Sequence, residues 1–277
     1  MFFYKLKIFL LRIMGYDKPL RVAVLRYLTL KFKTFRPHYE TILLEGVLEA
    51  KKLGYKTVSV LELGVAGGNG IVALEKYKKK IEKITNIEIN IYGFDSGGGL
   101  PETNNKYDLP FFWKTGDFKV DREKLEKIID SKIFYGDIKY TVDDFIKIHP
   151  KNIIAIFCDL DFYTSTKSFL NQMSKLKQYL CPRVYFYFDD IFDSSHCIDD
   201  QNGELLAIQE FNNENINMKI GKSLSNSLDF RFPIGKDYLF LLHNFKHKDY
   251  NNYIGSLSGE DYLGVGNKKI RTKIFDI

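Results

Sequence analysis

From Val58 onward the apolar positions of this chain fall into two alternating patterns. Short, nearly unbroken apolar runs read as buried parallel strands, and longer stretches with apolar positions three to four apart read as helices. The strands so predicted are Val58–Gly64, Ile89–Asp95, Lys132–Ile138, Ile153–Asp161 and Val184–Ile191. Between them, helices are predicted from Ile71 through about Ile84, over Arg122–Ile129, over Val142–Ile148 and over Ser165–Tyr179. A helix at Glu204–Glu214 then leads to two further strands, Met218–Ser223 and Tyr238–Asn244, whose turn-rich connection suggests a closing antiparallel hairpin. Upstream, Leu20–Lys33 and Glu40–Leu53 carry helical spacing on either side of Pro37. The alternation predicts an α/β fold, a doubly wound, mostly parallel seven-stranded sheet of Rossmann-like type behind an N-terminal helical extension. The boundaries read as a basic helical extension or lid over 1–56, a main domain over 57–245 and a polar surface extension over 246–277.

Composition refines this picture in two places. A length of 277 residues with 45% hydrophobic and 15% aromatic content suits one embellished domain with an ample core. Cys158, Cys181 and Cys197 show neither paired nor C-x-x-C spacing, so no disulfide framework or zinc site is expected, and a reducing, cytoplasmic compartment fits. The net charge of +6 is unevenly spread: up to Arg36, nine Lys and Arg face Asp17 alone. That stretch is too charged to span a bilayer and lacks a cleavage signal. It reads as an amphipathic basic helix packed on the domain or on a partner subunit, which makes a homo-oligomer the expectation. Peripheral contact of residues 1–36 with a membrane surface is the second reading, and contact with an acidic substrate the third. No nucleic-acid motif accompanies the charge, so a nucleic-acid partner is not expected.

The candidate chemistry begins at VSVLELGVAGGNG, Val58–Gly70, where a strand runs into Gly64, Gly67, Gly68 and Gly70 and then a helix. Such a turn allows backbone N–H groups to lie against a ligand. The dinucleotide fingerprint fits poorly, because the second position after Gly64 is Ala66. Acids also end nearly every strand: Glu62, Asp95, Asp137, Asp159 with Asp161, and Asp189 with Asp190. In an open parallel sheet this is the edge where ligands sit. Asp95, followed by Ser96, is placed to accept ribose hydroxyls, and Asp137 with Ile138 to hold and flank an adenine. Asp159 and Asp161, two apart on an extended strand end, are expected on one face. With strand five adjacent, Asp189 and Asp190 converge with Asp159 on one hard cation, Mg²⁺ or Mn²⁺ rather than zinc.

Two resemblances give these residues names. Glu62-x-Gly64-x-x-x-Gly68 resembles the first motif of class I S-adenosylmethionine-dependent methyltransferases, which implies cofactor contacts at Glu62, Gly64, Val65 and Gly68. GFDSGGGLPE (Gly93–Glu102), GDF (Gly116–Phe118), CDLDFYTST (Cys158–Thr166) and FDD (Phe188–Asp190) are together similar to the macrocin O-methyltransferase family of metal-dependent sugar O-methyltransferases. The similarity covers about Val58 to Phe211, with the motifs in order. It departs at Gly97–Gly98, where the family carries a Phe–Glu pair, and at Ser194–Ser195–His196 after FDD. The resemblance implies Mg²⁺ ligands at Asp159, Asp189 and Asp190, a general base at Asp161, and Asp159 near the cofactor as well. The acceptor it implies is a sugar hydroxyl, on a nucleotide-sugar, a surface-polysaccharide precursor or a glycosylated metabolite. His196 is a second candidate base, and the loop Ser96–Asp117, with Phe112 and Trp113, a candidate lid. The rival reading is a metal-dependent glycosyltransferase using Asp159-x-Asp161 to hold a nucleotide-sugar.

Overall fold

The computed structural model describes residues 36–191, 198–223 and 239–255. Expectations for the basic segment up to residue 35, for His196 and Cys197, and for the tail beyond residue 255 lie outside the described residues. A seven-stranded sheet in the order β3-β2-β1-β4-β5-β7-β6 forms the centre. Its strands are β1 (Thr57–Leu63), β2 (Glu88–Asp95), β3 (Lys132–Tyr135), β4 (Ile153–Cys158), β5 (Leu180–Phe188), β6 (Met218–Lys222) and β7 (Leu239–Asn244). The first five run parallel, and β7 enters antiparallel between β5 and β6. β4 is fully buried over its length, as its unbroken run IIAIFC requires of a strand covered on both faces.

The helices are α1 (Pro37–Lys52), α2 (Asn69–Thr85), α3 (Arg122–Glu126), α4 (Ile138–Lys147), α5 (Tyr163–Leu170), α6 (Met173–Leu176) and α7 (Gly203–Glu214). No helix among the described residues is long and apolar enough to cross a membrane. α1, assigned from sequence to the extension, lies against β4 and β5. Pro37 opens this helix, where a missing N–H costs nothing. Tyr39, Ile42, Leu43 and Val47 are buried in the main core. Lower down, buried Glu49 accepts from Arg183 Nε at 2.6 Å and Tyr185 Oη at 2.9 Å, which fixes α1 over β5.

Several elements differ from expectation, and four of the differences have a clear local reason. β3 stops at Tyr135 because Gly136, at φ 136°, turns the chain and Asp137 caps α4. β4 stops at Cys158, and Asp161 is left-handed at φ 59°, so an extended strand end is not what aligns Asp159 with Asp161. β5 starts early, at Leu180, and tolerates Pro182 because its register against β4 slips there. The helix expected over Ser165–Tyr179 is two pieces: Gln172 N bonds Phe169 O three residues back, and Lys175 N bonds Gln172 O likewise, which breaks the α-helical ladder.

Candidate active site

Beyond the carboxyl ends of β1, β2, β4 and β5 opens a cavity of about 370 Å³. It lies at the sheet edge where β1 and β4, neighbours in the centre, lead to crossovers on either side. One wall is the turn from β1 to α2. Gly64 and Gly68 are left-handed, at φ 82° and 84°. A Cβ at Gly64 would collide with the Asp159 carbonyl, one at Gly68 with Leu125, and one at Gly70 with the Glu62 carboxylate. Of the glycines in this turn, Gly67 alone has open space where its side chain would be. The glycines expected to make room for a ligand therefore mostly let protein approach protein. Gly64, Val65, Ala66, Gly67 and Gly70 nevertheless line the cavity, while Gly68 is turned toward Leu125.

Asp95 holds this turn in shape. Its Oδ2 accepts from Val65 N and Ala66 N, both at 2.9 Å, and its Oδ1 from Gly97 N at 2.6 Å. The carboxylate thus joins the glycine turn to the start of the lid loop while still facing the cavity with Ser96. Asp137 is engaged elsewhere: its side chain accepts from Lys139 N at 2.8 Å as the N-cap of α4. Neither it nor Ile138 is among the residues lining the cavity. Glu62, 1% exposed, lies under the turn, where its Oε1 accepts from Tyr39 Oη at 3.4 Å. Its Oε2 is buried without a hydrogen-bond partner. Burial first, and neighbouring Asp159 and Asp95, push its pKa well up, against the opposing charge of Arg36.

The second wall is acidic. Carboxylate oxygens of Asp159, Asp161 and Asp190 lie within 4.8 Å of one another. Asp189, expected among the ligands, lines the same cavity but is not in that group, and its Oδ1 accepts from Tyr187 Oη. Burial, and after it the repulsion of neighbouring aspartates, raises Asp190 to about 7, Asp159 to about 8 and Asp161 to about 9. Asp190 Oδ2 is also buried without a partner. Orphaned oxygen and clustered carboxylates fit a hard divalent cation, which would supply the missing positive charge.

Three side chains that sequence reasoning passed over brace the site, two of them at this wall. Glu204, fully buried on α7, accepts from Cys158 Sγ at 3.2 Å and, through its other oxygen, from Asp190 N at 3.1 Å. Arg36, on the first described residue, brings Nη1 to 3.5 Å from Asp159 Oδ2. Asp108, fully buried in the lid loop, accepts from Thr164 N at 2.7 Å and Thr164 Oγ1 at 2.8 Å, which pins the loop to α5. The loop closes on itself as well, Leu100 N to Asp117 O and Gly116 N to Leu100 O, each at 2.8 Å. Trp113 faces the cavity from it and Phe118 from just after it, whereas Phe112 packs on Trp113 outside the lining.

No model of a known protein family matches the chain, and no curated protein sequence matches it. Among solved structures, the calicheamicin methyltransferase CalS11 superposes with a TM-score of 0.50 at 19% identity, over 82% of this chain and 94% of that one. The apo form of CalS11, described as a TDP-rhamnose 3′-O-methyltransferase, gives 0.45 at 18% identity over 84% and 98%. The plantazolicin methyltransferase BamL, solved with S-adenosylhomocysteine, gives 0.43 at 12% identity over 85% and 94%. The fold is that of a class I methyltransferase, as the resemblances implied.

Proposed function

We propose that this chain is an S-adenosylmethionine-dependent O-methyltransferase that acts on a sugar hydroxyl with the help of Mg²⁺ or Mn²⁺. The observation that carries this reading is one cavity holding both a glycine turn over an unpartnered buried Glu62 oxygen and the Asp159–Asp161–Asp190 group. Glu62 Oε2 matches an ammonium, as on the methionyl end of the cofactor, and Asp95 keeps the turn shaped around the nucleoside. Asp159 and Asp190 would hold the cation, with Asp189 beside them braced by Tyr187. Bound there, the cation would lower the pKa of a coordinated sugar hydroxyl. Asp161 is the residue to take the acceptor proton, because it sits within the same carboxylate group, where the bound cation would favour its ionised form. Trp113 in the lid and Phe118 just after it line the cavity and would be the aromatic contacts of a sugar ring. The methyl transfer itself is a displacement that requires alignment above all, which the pinned lid and the braced turn provide.

The glycosyltransferase alternative gains nothing from this geometry, since the fold is shared with methyltransferases and holding a nucleotide-sugar does not need the turn over Glu62. His196 as second base, a homo-oligomer and membrane contact through residues 1–36 remain expectations from sequence. The test is a panel of nucleotide-sugars and glycosides incubated with S-adenosylmethionine and Mg²⁺, read by the mass gain of one methyl. Product that forms with Mg²⁺ and disappears with EDTA supports the reading; binding of S-adenosylhomocysteine absent in calorimetry would sink it. Asp161→Asn is expected to leave S-adenosylhomocysteine affinity within about twofold and to cut turnover by on the order of 10²- to 10⁴-fold. Turnover near wild type would remove Asp161 from the base role, and lost metal binding would make it a ligand instead.

A further inference from the structure

The lining of the cavity leaves one charge of the proposed cofactor without an evident partner. Glu62, Asp95, Asp159, Asp161, Asp189 and Asp190 all face it, and Arg36 is the one basic side chain among the described lining residues. A methionyl end brings an ammonium and a carboxylate on the same carbon. The ammonium has Glu62 Oε2 to go to, whereas a carboxylate among six acids is repelled unless a cation meets it.

Arg36 lines the same cavity and reaches Glu62 through one side chain. Its Nη1 donates to Tyr39 Oη at 2.8 Å, and Tyr39 Oη in turn donates to Glu62 Oε1 at 3.4 Å. The guanidinium is therefore one side chain away from the acid that matches the ammonium. Nε and Nη2 make no hydrogen bond among the described residues, and the side chain is 25% exposed, so a fork of donors is available. Its position is built in rather than incidental. Arg36 is left-handed at φ 48° just before α1, and α1 is held by the Glu49–Arg183–Tyr185 contacts at its far end and by Tyr39, stacked on Phe157 at 4.4 Å, near its start. The contact of Arg36 with Asp159, at 3.5 Å, is long and would weaken once a cation sits on Asp159.

We propose that Arg36 is a positioning residue that binds the carboxylate of the cofactor's methionyl group, so that α1 forms part of the cofactor site. The inference rests on the S-adenosylmethionine reading above. The competing partner for the carboxylate is the backbone at the start of α2, which would leave Arg36 with a structural task only.

Calorimetric titration in Mg²⁺ separates the two, with S-adenosylhomocysteine and its decarboxylated analogue, which keeps the amine, as probes. Arg36→Ala should weaken S-adenosylhomocysteine about tenfold or more and change the analogue less than about twofold. Arg36→Lys, with its charge but no fork, should fall between. If Arg36→Ala proves unfolded by circular dichroism, Arg36→Met, of similar length, makes the same comparison. Equal losses for both probes, or no loss for either, would overturn the role of Arg36 while leaving the cofactor reading intact. A wild-type protein that binds neither probe would overturn both.

Discussion

Gly64, Gly67 and Gly70 occupy one short turn and do different work. At Gly64 the backbone of β1 comes so close to that of β4 that a side chain would strike the Asp159 carbonyl, and φ is 82°. At Gly70 the first turn of α2 rests on the Glu62 carboxylate. Gly67 touches nothing at the position of a side chain and borders the cavity. Gly64→Ala is accordingly expected to destabilise the fold by about 3 kcal/mol, from strain at positive φ and from the backbone collision. Gly67→Ala should change stability by less than about 0.5 kcal/mol, as surface substitutions do, with its effect falling on cofactor affinity. Urea unfolding of both variants beside S-adenosylhomocysteine titration checks this, and a stable Gly64→Ala protein would refute the account of the turn.

At the scale of elements, the tips of β4 and β5 are held by a helix that belongs to neither. Glu204 on α7 receives Cys158 Sγ and Asp190 N, and burial pushes its pKa well up, before the added repulsion of Asp190. An amide has nearly the shape of a protonated carboxyl and can keep its oxygen on Asp190 N while its nitrogen faces Cys158 Sγ, a weak acceptor. Glu204→Gln should therefore cost less than about 1 kcal/mol, whereas Glu204→Ala strips partners from buried donors and should cost about 2–4 kcal/mol. Thermal unfolding compares them; a Gln variant as damaged as the Ala one would mean that an ionised Glu204 is needed. This residue also marks the limit of what is legible in the chain. Strands such as Ile153–Cys158 stand out because a strand buried on both faces must be apolar throughout. The acids after them are equally visible, since they interrupt those runs. Asp137 as an N-cap and Asp161 as a left-handed turn residue are not, because acids at strand ends and acids at caps look alike until the turn is formed. Glu204 and Arg36 are further still from view: one reads as an ordinary first-turn acid, the other as the last of a basic stretch, and only tertiary packing brings them to the site.

For the whole molecule, the carboxylates that make the site costly also set how stability must vary with pH. Asp190, Asp159 and Asp161 hold their protons more tightly folded than unfolded, with pKa values raised to about 7, 8 and 9 from an ordinary value near 4. The folded state thus binds more protons than the unfolded one between those limits, and stability contributed by these groups is present at low pH and lost as pH rises. A divalent cation acts in the opposite direction, since it needs the ionised carboxylates and competes with their protons. Without metal, the melting temperature should therefore fall between about pH 4 and pH 9, most steeply below pH 7 where all three groups contribute. Excess Mg²⁺ should stabilise little at the acid end and by about 2–3 kcal/mol at the alkaline end, if free ion reaches about a hundred times its dissociation constant. Asp190→Asn should flatten the metal-free slope and shrink the Mg²⁺ effect together, because one group underlies both. Scanning fluorimetry over that range with Mg²⁺ or EDTA gives the four curves. A metal-free protein that grows more stable toward alkaline pH, or a Mg²⁺ shift independent of pH, would show that these three acids do not share one uncompensated site.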